Sequence, residues 1–260
     1  MILLQAPFLN LQALLDGVMV GSIFALVAYG MALVWGVMNI INVAQGEYVI
    51  LGGYITFGIY KLGVSPIYGM PFSFLFLFIL GYILYRLIVF RVVDKDMFIS
   101  ILATFGISIM IQQFMNMFFG SQVETALTGL GTIFFFDGNI TIALVKVFSF
   151  VISILGAIAV IYFMRVSKLG RAIRATAQNP RAARILGVDT EKVYAYTYAI
   201  NAGLCGLAGS LVAMTYTLHP YIGLPYTVRS FMIVIIAGLG NIPGVLVSGL
   251  GLGAIEEFSA

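Results

Sequence analysis

Long apolar stretches separated by short polar segments run through almost the whole sequence, for example at residues 72–83 and 145–164. A helix needs about 20 mostly apolar residues to cross a bilayer, whereas strands of a membrane barrel alternate apolar and polar residues over about ten positions. The pattern therefore predicts an all-α, polytopic transmembrane helical bundle. Its membrane segments are expected at residues 14–38, 46–62, 71–90, 97–119, 145–164, 193–217, 229–240 and 244–258.

The prolines agree with this division into about eight membrane segments. Each lies at or between the proposed ends, where a missing backbone N–H does least harm. They are Pro7, Pro66, Pro71, Pro180, Pro220, Pro225 and Pro243. No linker indicates a second domain, so residues 1–260 are expected to form a single transmembrane domain.

The composition is that of a membrane protein. Hydrophobic residues make up 62% of the chain and charged residues only 9%, with a mean hydropathy of +1.09. In soluble domains about a quarter of all residues are charged, so water is not the main solvent of this chain. The single cysteine, Cys205, lies in an apolar stretch, which excludes an internal disulfide.

Most basic residues fall in two connections between segments. Arg86, Arg91 and Lys95 follow the third segment, and seven more lie at 165–192, so these connections hold ten of the 13 basic residues. Two segments separate the connections, which places both on one side of the membrane, and the positive-inside rule makes that side cytoplasmic. The N-terminus is then expected outside. The remaining basic residues are expected outside as well: Lys61, Lys146 and Arg229.

Small residues recur every three or four positions in the first and sixth segments. Gly17, Gly21 and Ala25 begin one stripe, and the other includes Gly203 and Gly206. Helices in lipid usually associate through close backbone approach, so both stripes are expected to be helix contacts. The alternative is that the small residues line a substrate path.

A polar stretch interrupts the apolar residues after the first segment. It contains Asn39, Asn42, Gln45 and Glu47. A charge at the middle of the bilayer costs about 2.5–3.5 kcal/mol on insertion scales, so Glu47 must lie near an interface, a partner or water. Two interpretations are open. One is a polar turn at the cytoplasmic surface, and the other is a broken helix beside a translocation path.

A second break separates the last two segments, each of which is nearer 12 than 20 residues long. This length predicts a discontinuous or re-entrant segment. Transporters often build their binding sites from helices that Gly and Pro interrupt in corresponding parts of two halves. The candidate residues here are Gly238, Gly240, Asn241, Pro243 and Gly244.

The basic connection at 165–192 contains the sequence pattern of a short helix. Asn179 can cap it, Pro180 can occupy its first position, and Gly187 can end it in a left-handed conformation. We expect this helix to dock on a partner, although a basic loop lying on anionic headgroups is the alternative. The docking residues would be Ala182, Ala183, Ile185 and Leu186, with Arg181 and Arg184 at the edge.

Several kinds of chemistry have no candidate residues. No GxxxxGK[ST] loop occurs, so the chain is not expected to hydrolyse ATP. The lone histidine, His219, precedes Pro220 at the end of a segment and is expected to be structural. We predict no catalytic residue, no metal site, no cofactor and no binding to nucleic acid.

In the polar stretch after the first segment, in the break between the last two segments and in the basic connection, the sequence resembles the permeases of branched-chain amino-acid ABC importers of the LivH type. The resemblance extends from about residue 12 onwards. Residues 42–47, Asn-Val-Ala-Gln-Gly-Glu, are similar to the family's Asn-Phe-Ala-His-Gly-Glu stretch. Residues 170–175 are similar to its Gly-Arg-Ala-x-Arg-Ala loop, and residues 238–244 also fit. Residues 182–187 keep the Ala-Ala-x-x-x-Gly part of a coupling motif of the wider importer superfamily.

The sequence also departs from the pattern that it resembles. Val43 and Gln45 replace the usual Phe and His, so no histidine-dependent chemistry is assigned there. Arg181 stands where the wider motif has Glu. The family continues through another span beyond the point where this sequence stops.

The resemblance implies an ATP-driven importer in the cell inner membrane, with 165–192 as its cytoplasmic coupling loop. The expected partners are a second, related permease, two cytoplasmic ATPase subunits and a periplasmic or surface binding protein that delivers Leu, Ile, Val or a related amino acid. Import of urea or short amides is an alternative within this class. An ion-coupled transporter would need charged residues inside the bundle, and apart from Glu47 these are almost lacking. An intramembrane enzyme would need paired acidic residues or a Ser/His set at membrane depth, and the sequence shows neither.

Overall fold

The computed structural model describes residues 7–93, 95–135 and 140–259. The helices of this part are α1 (Pro7–Met38), α2 (Gln45–Lys61), α3 (Gly69–Leu87), α4 (Met97–Phe119), α5 (Leu144–Val166), α6 (Lys168–Gln178), α7 (Pro180–Ile185), α8 (Thr190–Thr215), α9 (Gly223–Ala237) and α10 (Ile242–Ser259). One-turn 3-10 helices lie at Pro66–Tyr68 and Val89–Arg91. The strands β1 (Thr132–Phe135) and β2 (Ile140–Ala143) form an antiparallel pair.

Each predicted membrane segment contains one helix, which confirms the all-α transmembrane bundle. Most bounds agree within a few residues, but α1 begins at Pro7 and α9 at Gly223, each well before the predicted start. Pro225 lies in the first turn of α9, where backbone N–H groups lack a helical partner, so it does not stop the helix. Among the described residues, six helices are long and apolar enough to cross a membrane, and α9 is a shorter apolar helix.

Two elements were not predicted from the sequence. One is the strand pair, and the other is α6, which fills the first half of the basic connection. In α6 the buried residues Gly170, Ile173 and Thr176 recur every three positions, while Arg171 and Arg174 are exposed. This helical spacing was visible in the sequence and could have identified an amphipathic surface helix.

The core lies around two central helices. In the most apolar windows of α1 and α8, 89% of the residues are buried, compared with 17–33% in α3, α4, α5 and α10. The outer helices expose broad apolar faces, as expected of surfaces that meet lipid or another membrane subunit.

Glycines bring the helices close together, as the small-residue stripes predicted. A Cβ on Gly17 would lie 2.6 Å from the Gly253 carbonyl oxygen, and a Cβ on Gly52 would lie 2.6 Å from the Gly206 Cα. Backbone therefore meets backbone between α1 and α10 and between α2 and α8. Both stripes are confirmed as helix contacts.

The two ends of the bundle differ in charge. The rings of Tyr82 and Tyr196 lie 5.6 Å apart, so the end of α3 meets the start of α8, and the two basic connections share one end, as predicted. We call it the basic end and the opposite end, which carries the strands, the strand end. Two ion pairs lie at the strand end: Lys61–Glu124 at 3.5 Å and Lys146–Asp16 at 3.0 Å.

The chain re-enters the bundle between α8 and α9. Leu218 is fully buried and packs against Gly53, and Gly223, the first residue of α9, reaches Gly46 near the start of α2. Gly46 lies about 10 Å along the helix from Gly53. Because α9 begins inside the bundle, its 15 residues form a partial span. The predicted discontinuous segment is thus present, but it lies at the α8–α9 connection and not at 238–244.

Candidate functional site

The polar stretch between α1 and α2 divides into an exposed turn and a buried part. Asn39 is exposed and has a φ of +51°, a left-handed conformation that asparagine tolerates better than most residues. Its backbone N–H donates to the Trp35 carbonyl at 3.0 Å and so closes α1. Asn39 therefore lies in an exposed turn at one end of the bundle.

The other three polar side chains of this stretch are enclosed by protein. Asn42 and Gln45 are fully buried and Glu47 is 2% exposed. The Asn42 amide donates to Gln45 Oε1 at 3.3 Å, and the Gln45 amide donates to the Val27 carbonyl at 2.9 Å. The Tyr198 hydroxyl of α8 donates to Asn42 Oδ1 at 3.4 Å. For these residues the surface-turn interpretation is wrong, because the break between α1 and α2 lies inside the bundle, as the broken-helix interpretation requires.

Two threonines from other helices satisfy the backbone of the break. The Thr227 hydroxyl of α9 accepts from the Gly46 N–H at 2.8 Å and donates to the Val43 carbonyl at 3.0 Å. The Thr104 hydroxyl of α4 accepts from the Val43 N–H at 3.1 Å. Non-helical backbone at membrane depth requires such partners because lipid offers none. The break is therefore held by α4 and α9.

Glu47 lies where α2, α4 and α9 meet. Its Oε1 accepts hydrogen bonds from the Ser108 hydroxyl at 3.4 Å and the Gln112 amide at 3.3 Å, while Oε2 has no hydrogen-bond partner among the described residues. A Cβ on Gly223 would lie 2.5 Å from the Glu47 carboxyl carbon, so the carboxylate abuts the first residue of α9. The positive end of the α9 dipole there favours a negative charge.

The second group of sequence-predicted path residues forms an exposed turn at the basic end. Gly238 and Gly240 have φ values of +82° and +81° with open space around them. The Asn241 side chain accepts from the Gly244 N–H at 3.1 Å and donates to the Ala237 carbonyl at 3.1 Å. Turn and capping geometry thus accounts for the glycines and for Asn241, and Pro243 occupies the second position of α10.

The structure does not bring the two predicted groups of path residues together. The first group meets α9 at Gly223, and the second follows the end of α9 at Ala237. Fifteen helical residues separate them, or about 20 Å of helix. Only the buried group, with Asn42, Gln45 and Glu47, lies inside the bundle.

The short helix predicted in the basic connection is present as α7. Asn179 Oδ1 accepts from the Ala182 N–H at 3.0 Å, and Pro180 is the first helical residue. Gly187 follows with a φ of +84°, and the Val188 N–H donates to the Ala183 carbonyl at 3.0 Å. The cap, the proline and the left-handed glycine are all confirmed. The helix ends at Ile185, one residue earlier than expected.

The exposed face of α7 differs from the face expected from the sequence. Ile185 and Leu186 are 86% and 82% exposed, whereas Ala183 is only 3% exposed and faces the protein's own chain. The expectation that Ala183 belongs to a docking face is therefore wrong, because α7 uses that side to pack. Arg184 is tied back to α8, since its Nε donates to the Thr190 hydroxyl at 2.6 Å.

An open cavity of about 440 Å³ lies beside α7 and is lined by Asn179, Pro180, Arg181 and Arg184. The exposed side chains of Ile185 and Leu186 thus lie next to a basic concave surface at one end of the bundle. Over residues 13–260 the sequence matches the family described as branched-chain amino acid transport system, permease component.

The chain belongs to this permease family.

Relatives of the permease agree with this assignment. The high-affinity branched-chain amino acid transport system permease protein LivH of Salmonella typhimurium is 30% identical over 96% of this chain and 86% of its own length. LivH of Escherichia coli K12 is 29% identical and BraD of Pseudomonas aeruginosa is 30% identical, with the same coverage. No solved structure matches the chain. The permease is a multi-pass membrane protein of a transport system.

Proposed function

We propose that this permease is the membrane-spanning subunit of an ABC importer in the cell inner membrane, and that it translocates branched-chain or related apolar amino acids. Its relatives are named as parts of high-affinity branched-chain amino acid transport systems. In this proposal a binding protein delivers the amino acid, a second related permease completes the path, and two cytoplasmic ATPase subunits supply the energy.

The observation that carries the proposal is the geometry of α7. The helix presents Ile185 and Leu186 to the surface at the basic end, between a capped start and a left-handed glycine. Large aliphatic side chains with this exposure lower the free energy when a partner removes them from water, by about 25 cal/mol per Å² of buried apolar area. An ATPase groove would provide that burial.

The connections of α7 suggest how ATPase closure reaches the membrane. The Asp189 side chain caps α8 through the Lys192 N–H at 3.1 Å, and Arg184 joins α7 to Thr190 in the first turn of α8. Further along α8, Tyr198 contacts Asn42 at the α1–α2 break. In this mechanism a displacement of α7 moves the cytoplasmic end of α8, and α8 repositions the polar cluster around Glu47.

Replacing Ile185 and Leu186 together by serine tests the docking role. Both side chains are exposed, so the fold loses no internal packing and membrane abundance should equal that of the wild type. Leucine uptake by cells and co-purification of the ATPase subunits should both fall at least about tenfold. Leu62→Ser with Leu127→Ser is the matched control, because both side chains are exposed at the strand end, and its co-purification of the ATPase subunits should equal that of the wild type. Unchanged uptake and co-purification would contradict docking through α7.

The orientation of the chain can be tested by cysteine labelling in intact cells. We expect an impermeant thiol reagent to label Lys61→Cys, at the strand end, and not Arg174→Cys, at the basic end. The native Cys205 is buried and should not react. Permeabilised cells serve as the control, since both positions should then be labelled. Labelling of position 174 but not of position 61 in intact cells would reverse the proposed topology.

A further inference from the structure

A cavity of about 260 Å³ opens between α1, α9 and α10, in the half of the bundle nearer the strand end. Its wall combines apolar and charged side chains. The apolar part includes Val20, Phe24 and Tyr226, and the charged part consists of Arg229, Glu256 and Glu257. From the sequence we expected Arg229 at the outer end of a segment, but α9 begins six residues earlier, so Arg229 lies within the helix.

Arg229 is held firmly at the edge of this cavity. Its Nε lies 3.0 and 2.9 Å from the two carboxylate oxygens of Glu256, and its Nη2 donates to the same carboxylate. The guanidinium carbon lies 4.8 Å from the ring centre of Phe24 and 5.7 Å from that of Tyr226. Arginine binds carboxylates through several donors in one plane. The contacts with Glu256 use Nε and Nη2 and leave Nη1 for another acceptor.

The charges of the cavity are unequal. Glu256 is matched by Arg229, whereas Glu257 forms no ion pair with any described residue. The nearby carboxylate of Asp16 is matched by Lys146 at 3.0 Å. The cavity therefore has one carboxylate in excess, and an ammonium group would compensate it.

Lipid tails are unfavourable neighbours for the charged wall of this cavity. The side chains of Arg229 and Glu256 are 29% and 41% exposed, and charged groups within membrane segments almost always face a bundle interior or a water-filled cavity. We therefore expect the charged part of the face formed by α9 and α10 to border water or another subunit. A substrate on its way through the membrane would meet it there.

We propose that this cavity binds the α-carboxylate and α-ammonium groups of an apolar amino acid. The carboxylate accepts from the free edge of the Arg229 guanidinium, the ammonium group donates to Glu257, and the aliphatic side chain contacts Val20, Phe24 and Tyr226. The cavity volume lies just below the range of about 300–1,000 Å³ for pockets that bind drug-sized ligands, which suits a smaller molecule such as an amino acid. This inference rests on the proposed function, because it names where the transported amino acid is recognised.

Equilibrium binding to the purified full-length permease in lipid nanodiscs tests the site. The probes are L-leucine, L-leucinamide, which lacks the carboxylate, and 4-methylpentanoate, which lacks the ammonium group. The wild type should bind L-leucine more tightly than either analogue. Glu257→Gln should weaken L-leucine binding at least about tenfold, the value of one charge-assisted hydrogen bond, and should leave 4-methylpentanoate binding unchanged.

The second variant replaces both members of the ion pair, Arg229→Gln with Glu256→Gln, so that no charge is left alone. It should remove the preference for L-leucine over L-leucinamide. Glu124→Gln is the matched control, because Glu124 pairs with Lys61 away from the cavity. This variant should bind L-leucine as the wild type does. Among the described residues Glu257 has no ion-pair partner to lose, so Glu257→Gln should also retain the wild-type melting temperature.

Leucine uptake by cells that express the whole transporter distinguishes a failure of the cavity assignment from a failure of the proposed function. If the wild type supports uptake but its nanodiscs bind no L-leucine, or if both cavity variants bind it as the wild type does, the cavity assignment is wrong and the proposed function stands. If uptake of leucine does not depend on the wild-type chain, the proposed function itself is wrong.

Discussion

Replacing Gly187 by valine is expected to lower leucine uptake more than tenfold while the membrane helices stay folded and inserted. Gly187 has a φ of +84° and open space where a Cβ would stand, so the backbone conformation alone carries the cost. For a non-glycine residue that conformation costs about 1–2 kcal/mol, and a β-branched residue is strained further. The loop after α7 would relax to another conformation and move Ile185 and Leu186 away from the partner. Uptake, ATPase co-purification and membrane abundance are the measurements.

Gly63→Val is the matched control for this substitution. Gly63 has a φ of +81°, also with open space around it, but it lies between α2 and α3 at the strand end. The backbone strain is therefore the same, while no docking helix is displaced. Equal uptake by the two variants would show that strain by itself, and not the position of α7, sets the phenotype.

Replacing Gly52 by leucine is expected to destabilise the whole permease. A Cβ at this position would lie 2.6 Å from the Gly206 Cα and 2.8 Å from the Gly206 carbonyl oxygen, so the obstacle is backbone and cannot rotate away. Overpacking usually costs about 1–3 kcal/mol, and the upper end applies when two helices must separate. For a chain of this size 3 kcal/mol corresponds to about 6 °C or more in melting temperature. Thermal unfolding in detergent and membrane abundance measure the effect.

Gly58→Leu provides the control within the same helix. Apart from the backbone of its own helix and its chain neighbours, no atom lies within 4 Å of a Cβ built at Gly58, so the same change of residue meets no neighbouring helix. Its melting temperature should stay at or above that of the wild type, because leucine favours a helix more than glycine does. If both variants melted alike, close approach of α2 and α8 would not be what stabilises the bundle.

The candidate site was predictable from the sequence where local rules decide the outcome. The capped start of α7 at Asn179 and its end at Gly187 follow from side-chain capping and from the conformational freedom of glycine. Both act between residues a few positions apart. The face that α7 exposes was not predictable, because the burial of Ala183 depends on how the chain returns to α8.

The sequence by itself determined the membrane class, the positions of the segments and the concentration of positive charge at one end, since each follows from the transfer of residues between water and lipid. Only the tertiary structure decided which polar residues are buried and what they meet. The environment of Glu47 comes from Ser108 on α4 and Gly223 on α9, and the pairing of Arg229 with Glu256 comes from the packing of α9 against α10. These contacts join residues far apart in the chain, and the periodicity of apolar positions does not indicate which distant residues meet.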